Sequence, residues 1–183
     1  MAQISLKSLM TNSAPTYAPE IAQPFRDELT AINFMEMLTP EDVDAALNQK
    51  DDKVKLVVLN SVCGCAARGA RPGAIFSLLN DRVPDECYTV FAGMEKEAVD
   101  HFRRTYLLGV TPSSPNIALF KNGELVHIHQ RYEIEGKGAG QIAQELAAEY
   151  DKVCTREYKD EELMTLKNYL VGRYHVSMES LNE

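Results

Sequence analysis

Two cysteines separated by one glycine, Cys63 and Cys65, directly follow an apolar run in the stretch "VLNSVCGCAA". Thiols at this spacing can exchange with disulfides, contribute to a metal site, or lie in a protein core as unreactive groups. The first possibility indicates a thiol–disulfide oxidoreductase, the second a metal-binding module, and the third a non-catalytic interaction domain. Which one applies depends on the elements that position the pair.

The residues around the pair place it between a strand and a helix. The β-branched run "VKLVVLN", residues 54–60, is typical of a fully buried strand. Free N–H groups and the dipole at the start of a following helix stabilise a thiolate, which lowers its pKa from about 8.5 towards neutrality. An exposed thiolate of low pKa is the species that attacks a disulfide.

The spacing of the pair favours disulfide exchange or isomerisation over strong reduction. A disulfide across one residue closes a small ring, which tends to force the S–S torsion away from its preferred value. Strained disulfides are the oxidising, labile ones. Gly64 supplies the backbone freedom that lets this ring close.

Two arginines follow the pair by a turn or two, at Arg68 and Arg71. They can add positive potential at the thiolate, or hold an acidic group of a substrate. The alternative is that both are solvated helix arginines.

The metal alternative draws on His127 and His129, which alternate along a predicted strand and so share one face. A structural zinc site needs four ligands, of which the cysteine pair supplies two, and zinc cysteines usually have two to four residues between them. We therefore assign no metal ligand. Cys87 and Cys154 have no partner in sequence reach, and we expect both to be structural.

Helix and strand signals alternate along the rest of the chain. Residues 19–32 carry apolar residues at helical spacing, with Pro24 limiting how early that helix starts, and Thr39 begins a second helix. A helix after the cysteines is kinked, or delayed, by Pro72-Gly73. Then come a strand in "CYTVFAG", a helix in "EKEAVDHFRRTYLL", a hairpin turning at Asn122-Gly123, and a helix over residues 139–153.

This order predicts the α/β class, with a central mixed sheet flanked by helices on both faces. It is the element order of a thioredoxin-like fold. In such folds a cis-proline packs beside the active-site cysteines, and Pro115 after Ser114, just before a strand, is a candidate for that position. An ordinary trans proline in a loop is the alternative.

Composition restricts the partners and the compartment. The chain has 183 residues, of which 45% are hydrophobic and 25% charged, and a formal net charge of -8. This charge argues against nucleic acid or an anionic membrane as a partner. The first twenty residues contain no apolar segment of the length of a secretory signal, so we expect a cytoplasmic protein.

Four segments, "VLNSVCGCAARGARPGA", "VFAGMEKEA", "PSSPNIALFKNGELVHIHQRYEIEG" and "YDKVC", resemble the bacilliredoxins of the A/B type, which are thioredoxin-like proteins with a Cys-Gly-Cys motif. The resemblance covers a domain at residues 18–154. It leaves a flexible arm at residues 1–17 and a partly helical extension at residues 155–183. This extension could cover the site, pack on a neighbouring subunit, or be disordered.

The resemblance implies an enzyme that removes bacillithiol from mixed disulfides on client proteins, with weak disulfide isomerase activity. Cys63 would attack and Cys65 would modulate or resolve the adduct. Gly64, Ser114 and Pro115 would shape the substrate groove, and Arg68 or Arg71 would bind the malate carboxylates of bacillithiol. The thiol is then a co-substrate, no resident cofactor is expected, and the partners are S-thiolated proteins. In a host without bacillithiol, the same site could serve glutathione, coenzyme A or client disulfides.

Overall fold

Five strands form one mixed sheet at the centre of the computed structural model, which describes residues 14–182. They are β1 (Met35–Glu36), β2 (Val54–Asn60), β3 (Glu86–Phe91), β4 (Asn116–Lys121) and β5 (Glu124–His129). Their spatial order is β1-β3-β2-β4-β5. β3 pairs in parallel with β1 and β2, whereas β4 pairs antiparallel with β2 and β5. β2 is therefore the central strand.

The helices of the described part of the chain are α1 (Pro19–Thr30), α2 (Pro40–Leu47), α3 (Arg71–Ser77), α4 (Lys96–Tyr106), α5 (Arg131–Ile134), α6 (Ala139–Val153) and α7 (Asp160–Tyr174). A π-turn at Ala66–Ala70 leads into α3, and a short 3₁₀ segment at Glu179–Leu181 follows α7. Within residues 14–182, no helix combines the length and apolar character needed to cross a bilayer.

The alternation of side chains along β2 explains why helices cover both faces of the sheet. Leu56 and Val58 belong to a core cluster that includes residues from α1, α3, α6 and α7. Val57 and Leu59 point the other way, into a cluster with α2 and α4. The predicted thioredoxin-like α/β fold, with a central mixed sheet between two helical layers, is confirmed.

Local signals predicted two element boundaries correctly. Thr39 and Asp42 form a reciprocal capping box at the start of α2. Asn122 and Gly123 both have positive φ, 54° and 78°, and join β4 to β5 in the predicted hairpin.

One prediction about a proline is wrong, and one of the two alternatives for a second proline is excluded. Pro24 lies inside α1 and does not limit its start, because the carbonyl that loses its partner belongs to the exposed Glu20 and can bind water. The helix after the cysteines is not delayed by Pro72 either, since helical conformation starts at Gly64. The wider π-turn before Pro72 absorbs the interruption in the hydrogen-bond ladder.

The segments on either side of the domain contact it. Residues 1–13 of the predicted arm lie outside the described part of the chain. Of the remainder, the Thr16 N–H donates to the Gly93 carbonyl, at 2.6 Å, and Tyr17 packs beside Phe91. In the C-terminal extension, Leu166 and Leu170 of α7 are buried in the core cluster on the α1 and α3 face.

Close packing of α3 against α6 fixes the helix that follows the cysteines. A Cβ atom at Gly73 would lie 2.6 Å from Cγ2 and 2.8 Å from Cβ of Ile142. We expect Gly73→Ala to lower the free energy of unfolding by about 1–2 kcal/mol, since overpacking typically costs about 1–3 kcal/mol and the helix propensity of alanine offsets up to about 1 kcal/mol. Urea unfolding measures the difference.

The matched control is Gly140→Ala on α6, where an added Cβ meets nothing within 4 Å. It should leave stability unchanged or raise it slightly. Equal stability of the two variants would contradict this description of the α3–α6 contact.

Candidate active site

The cysteine pair lies where the central strand gives way to a helix. β2 ends at Asn60, a short loop carries Ser61 to Cys63, and helical conformation begins at Gly64. Asn60 is fully buried, whereas Gly64 is exposed. The pair therefore lies at the end of the sheet that is formed by the carboxyl ends of β2 and β3.

The sulfur of Cys63 occupies the position of an N-cap acceptor. The Ser61 hydroxyl donates to Cys63 Sγ at 3.1 Å, and the backbone N–H groups of Cys65 and Ala66, in the first helical turn, also donate to it. N-cap side chains normally accept such bonds through oxygen. Burial raises the pKa of Cys63, but these three hydrogen bonds and the positive charge of Arg131 outweigh it and lower the pKa below its ordinary value.

Cys65 has the opposite environment. Its pKa is raised by burial, by the neighbouring Cys63 and by the carboxylate of Glu135. Cys65 Sγ donates to Glu135 Oε1 at 3.8 Å, an interaction that favours the protonated thiol. The pKa of Cys63 is thus lowered and that of Cys65 is raised, a difference that suits Cys63 to attack and Cys65 to resolve.

An open pocket of about 500 Å³ adjoins the pair. Glu135, the partner of Cys65, lies on its wall with Arg131, and the two side chains are 3.8 Å apart. The exposed ring of Tyr132 lines the same pocket, as do residues of the loop before β4. A larger cleft of about 760 Å³ runs along Met35 and Tyr158, and none of the cysteine-loop residues line it.

The loop before β4 places a cis-proline at the same sheet edge. The Ser114–Pro115 peptide bond is cis. Asn116, the next residue, pairs with Leu59 of β2, so Pro115 lies beside the strand end that leads to the cysteines. Pro115 is buried and Ser114 is half-buried.

The two predicted substrate arginines have different surroundings. The exposed Arg68 folds back over the motif, with its guanidinium 3.3 Å from the position of a Cβ on Gly64. Arg71 is only 1% exposed, and its Nε donates to Glu28 at 2.6 Å. The prediction that Arg71 binds substrate is therefore wrong, because the π-turn changes the angular offset between the two arginines and turns Arg71 into the core.

The histidines of the metal alternative bind glutamates. His127 Nε2 and His129 Nδ1 are 2.9 Å apart, and His129 Nε2 lies 2.9 Å from Glu145. His127 Nδ1 lies 3.8 Å from Glu149. Among residues 14–182, no three His, Cys, Asp or Glu side chains are grouped as metal ligands. The structure does not bring the cysteine pair and these histidines together as a site.

The remaining cysteines are poorly suited to attack. Burial raises the pKa of Cys87 and of Cys154 to about 12. Both thiols therefore stay protonated at neutral pH, in contrast to Cys63.

Three residues around the cysteine pair were not predicted from the sequence. Ser61 stands two positions before Cys63. A hydroxyl at a strand end, so close to a thiol, could have been predicted to donate a hydrogen bond to it. Arg131 and Glu135 come from α5, and Glu135 is 70 residues from the thiol it contacts. No local pattern connects residues so far apart, so only the fold could reveal these two.

Comparison with known proteins agrees with the motif. The family model described as "Disulphide isomerase" matches residues 17–154. A bacilliredoxin of Salinibacter ruber is 43% identical over 141 residues, which cover 77% of this chain and 82% of the relative. A bacilliredoxin of Halalkalibacterium halodurans is 48% identical over 138 residues, which cover 75% of this chain and 94% of the relative. The chain belongs to the bacilliredoxin family. The resemblance inferred from the motif is confirmed.

Family membership and the geometry of the pair together support a thiol-redox enzyme. The match to the "Disulphide isomerase" family model stops at Cys154, so α7 lies outside it. Among solved structures, a thioredoxin of Malassezia sympodialis covers 66% of this chain and 90% of its own, with 18% identity and a TM-score of 0.44.

The hydrogen bond from Ser61 to Cys63 yields a testable prediction. We expect Ser61→Ala to raise the pKa of Cys63 by about one unit, because a hydrogen bond to a charged group contributes about 1.5–3 kcal/mol and one unit corresponds to about 1.4 kcal/mol. Alkylation of Cys63 by iodoacetamide at a pH below both pKa values should then slow about tenfold. The rate is measured in a Cys65→Ser background, so that the site holds a single thiol.

Ser177→Ala, in the C-terminal extension, is the control, since the Ser177 hydroxyl accepts only from the nearby backbone of Ser180. An unchanged alkylation profile in Ser61→Ala would contradict the role given to this hydroxyl.

Proposed function

We propose that the chain removes bacillithiol, or a similar low-molecular-weight thiol, from mixed disulfides on client proteins, with weak disulfide isomerase activity. The observation that carries the proposal is the Cys63 sulfur, which accepts three hydrogen bonds at a helix start and has a lowered pKa. The names of the bacilliredoxin relatives and of the matching family model support it. We place this activity in the cytoplasm, where thiols are kept reduced.

In the first step, the Cys63 thiolate attacks the low-molecular-weight sulfur of the mixed disulfide. A new S–S bond forms to Cys63 while the bond to the client breaks, and the client leaves as a thiolate that takes a proton from water. Oxidation is passed from the client to Cys63, so no separate oxidant is needed.

In the second step, Cys65 resolves the adduct. It loses its proton, attacks Cys63 Sγ and displaces the small thiol, which leaves the Cys63–Cys65 disulfide. Glu135 Oε1, at 3.8 Å from Cys65 Sγ, is placed to accept that proton. Return to the dithiol takes two electrons from an external thiol reductant.

The pocket beside the pair is the proposed site of the small thiol. Arg131 lines it, and Arg68 lies over Gly64 on the motif itself. Two guanidinium groups next to the attacking sulfur suit a thiol with carboxylates, such as the malate group of bacillithiol. Thr111 and Ser113, from the loop before β4, line another side of this pocket. We assign Ser114 and Pro115, the next residues of that loop, to the groove that receives the client.

Intact-mass spectrometry tests the proposal. Reduced protein is mixed with a bacillithiolated client, using the parent chain, Cys63→Ser and Cys65→Ser in parallel. We expect the small thiol to move onto Cys65→Ser and to be retained there, because the resolving thiol is missing. The parent should release it and gain an internal disulfide, and Cys63→Ser should take up none.

Transfer that persists in Cys63→Ser, or a client that stays modified with every form of the protein, would exclude this function. In the same assay, Arg68→Gln and Arg131→Gln should slow transfer of bacillithiol more than transfer of an uncharged thiol such as 2-mercaptoethanol. Equal slowing with both thiols would remove the arginines from substrate binding.

A further inference from the structure

The C-terminal extension reaches the domain through two tyrosines of α7. The Tyr169 hydroxyl donates to the backbone carbonyl of Glu28, at 2.8 Å. The Tyr174 hydroxyl donates to Glu28 Oε1, at 2.5 Å. The Tyr174 ring also packs on Phe76, with a centroid distance of 5.2 Å. α7 therefore holds Glu28 by both its backbone and its carboxylate.

Glu28 in turn holds Arg71. Glu28 Oε2 accepts from Arg71 Nε at 2.6 Å, and the Arg71 guanidinium lies over the ring of Phe25, 4.7 Å from its centroid. Glu28 is 4% exposed and Arg71 is 1% exposed. Loss of one partner from such a pair would leave a buried charge without compensation, so the positions of the two groups are coupled.

Arg71 holds the loop that leads to the nucleophile. Its Nη1 donates to the Ser61 carbonyl at 2.9 Å and to Asn60 Oδ1 at 3.0 Å. Asn60 Oδ1 also accepts from the Ser61 N–H at 2.8 Å. Ser61 is thus fixed at its N–H and its carbonyl, and this residue directs its hydroxyl to Cys63.

We infer that α7 is a positioning element of the active site: Tyr169 and Tyr174 fix Glu28, Glu28 fixes Arg71, and Arg71 fixes the loop residue that donates to Cys63. The contacts form an unbroken chain of buried and half-buried polar groups, each within hydrogen-bond distance of the next. This assigns a role to a segment beyond the family match, and it corrects the role of Arg71 from substrate binding to positioning.

Removal of the Tyr174 hydroxyl leaves a buried carboxylate oxygen without its short donor. An unpartnered buried acceptor is unfavourable, so the Glu28 carboxylate is expected to turn or to admit water. Either change alters the acceptor that orients the Arg71 fork. Because guanidinium groups bind through fixed geometry, the contacts at the far end of the fork weaken as well.

The inference concerns the reactivity of Cys63 itself and does not depend on the proposed substrate. The test is the pH profile of Cys63 alkylation by iodoacetamide, in the full-length reduced protein with Cys65→Ser. We expect Tyr174→Phe, which retains the ring on Phe76, to shift the profile upwards by about half a unit, or to slow alkylation about threefold at acidic pH. Tyr169→Phe/Tyr174→Phe should shift it further.

Tyr158→Phe is the matched control. This variant also removes one tyrosine hydroxyl from the C-terminal extension. The Tyr158 ring, however, packs on Arg156 and not on Glu28. Arg71→Lys supplies a second test, because lysine keeps the positive charge but not the planar set of guanidinium donors. The alkylation profile of this variant should shift at least as far as that of Tyr174→Phe. Thermal unfolding of each variant confirms that the profiles are recorded on folded protein.

A profile of Tyr174→Phe that superimposes on that of the parent would overturn the inference. So would an equal shift in Tyr158→Phe, because the effect would then come from general loosening of the extension. A shift confined to the variants of Tyr169, Tyr174 and Arg71 would support it. None of these readings requires a client or bacillithiol, so failure here leaves the proposed function untouched.

Discussion

The sulfur of Cys63 takes the place of an N-cap oxygen, and the active site is arranged around that substitution. A helix start leaves several N–H groups without partners, and here two of them point at a group that can carry a full negative charge. Ser61 adds a third donor from the strand side. The N–H groups at the helix start have no carbonyl partner, so they donate to the Cys63 sulfur and stabilise its thiolate. The start of the helix therefore contributes to the reactivity of Cys63.

The same arrangement separates the two thiols. Cys65 lies inside the first helical turn, where its own N–H serves Cys63 and its sulfur points to Glu135. A negative charge on Cys63 further opposes ionisation of Cys65. In the proposed mechanism, that charge is lost once Cys63 is in a mixed disulfide, so Cys65 becomes easier to ionise before its own attack. The electrostatics of the pair thus favour the proposed order of the two steps.

Much of this site could be predicted from local sequence. The buried strand, the Thr39 cap, the Asn122-Gly123 hairpin and the position of the cysteine motif between a strand and a helix each depend on neighbours in sequence, and the structure confirms each of them. The errors concern Pro24 and Arg71, whose surroundings are set by distant parts of the chain. The carbonyl opposite Pro24 is exposed to water, and Arg71 is turned inwards by a π-turn to meet Glu28.

Residues that lie far from the cysteines in sequence could not be predicted either, because the strand pairing and the helix docking decide where they lie. Arg131 and Glu135 arrive because β5 pairs with β4 and so returns the chain to the cysteine edge. The roles of Tyr169 and Tyr174 depend on where α7 docks, 141 and 146 residues from Glu28. The sequence predicts a partly helical extension, but it carries no information about the surface on which that helix packs.

The most direct measurement is an NMR titration of the reduced, unmodified chain labelled with ¹³C at the cysteine Cβ atoms, in which each thiol reports its own ionisation. We expect Cys63 to titrate first, below the ordinary thiol pKa of about 8.5, and Cys65 to titrate above it. If Cys65 ionised first, or if both thiols titrated together near the ordinary value, the N-cap account of the nucleophile would be contradicted.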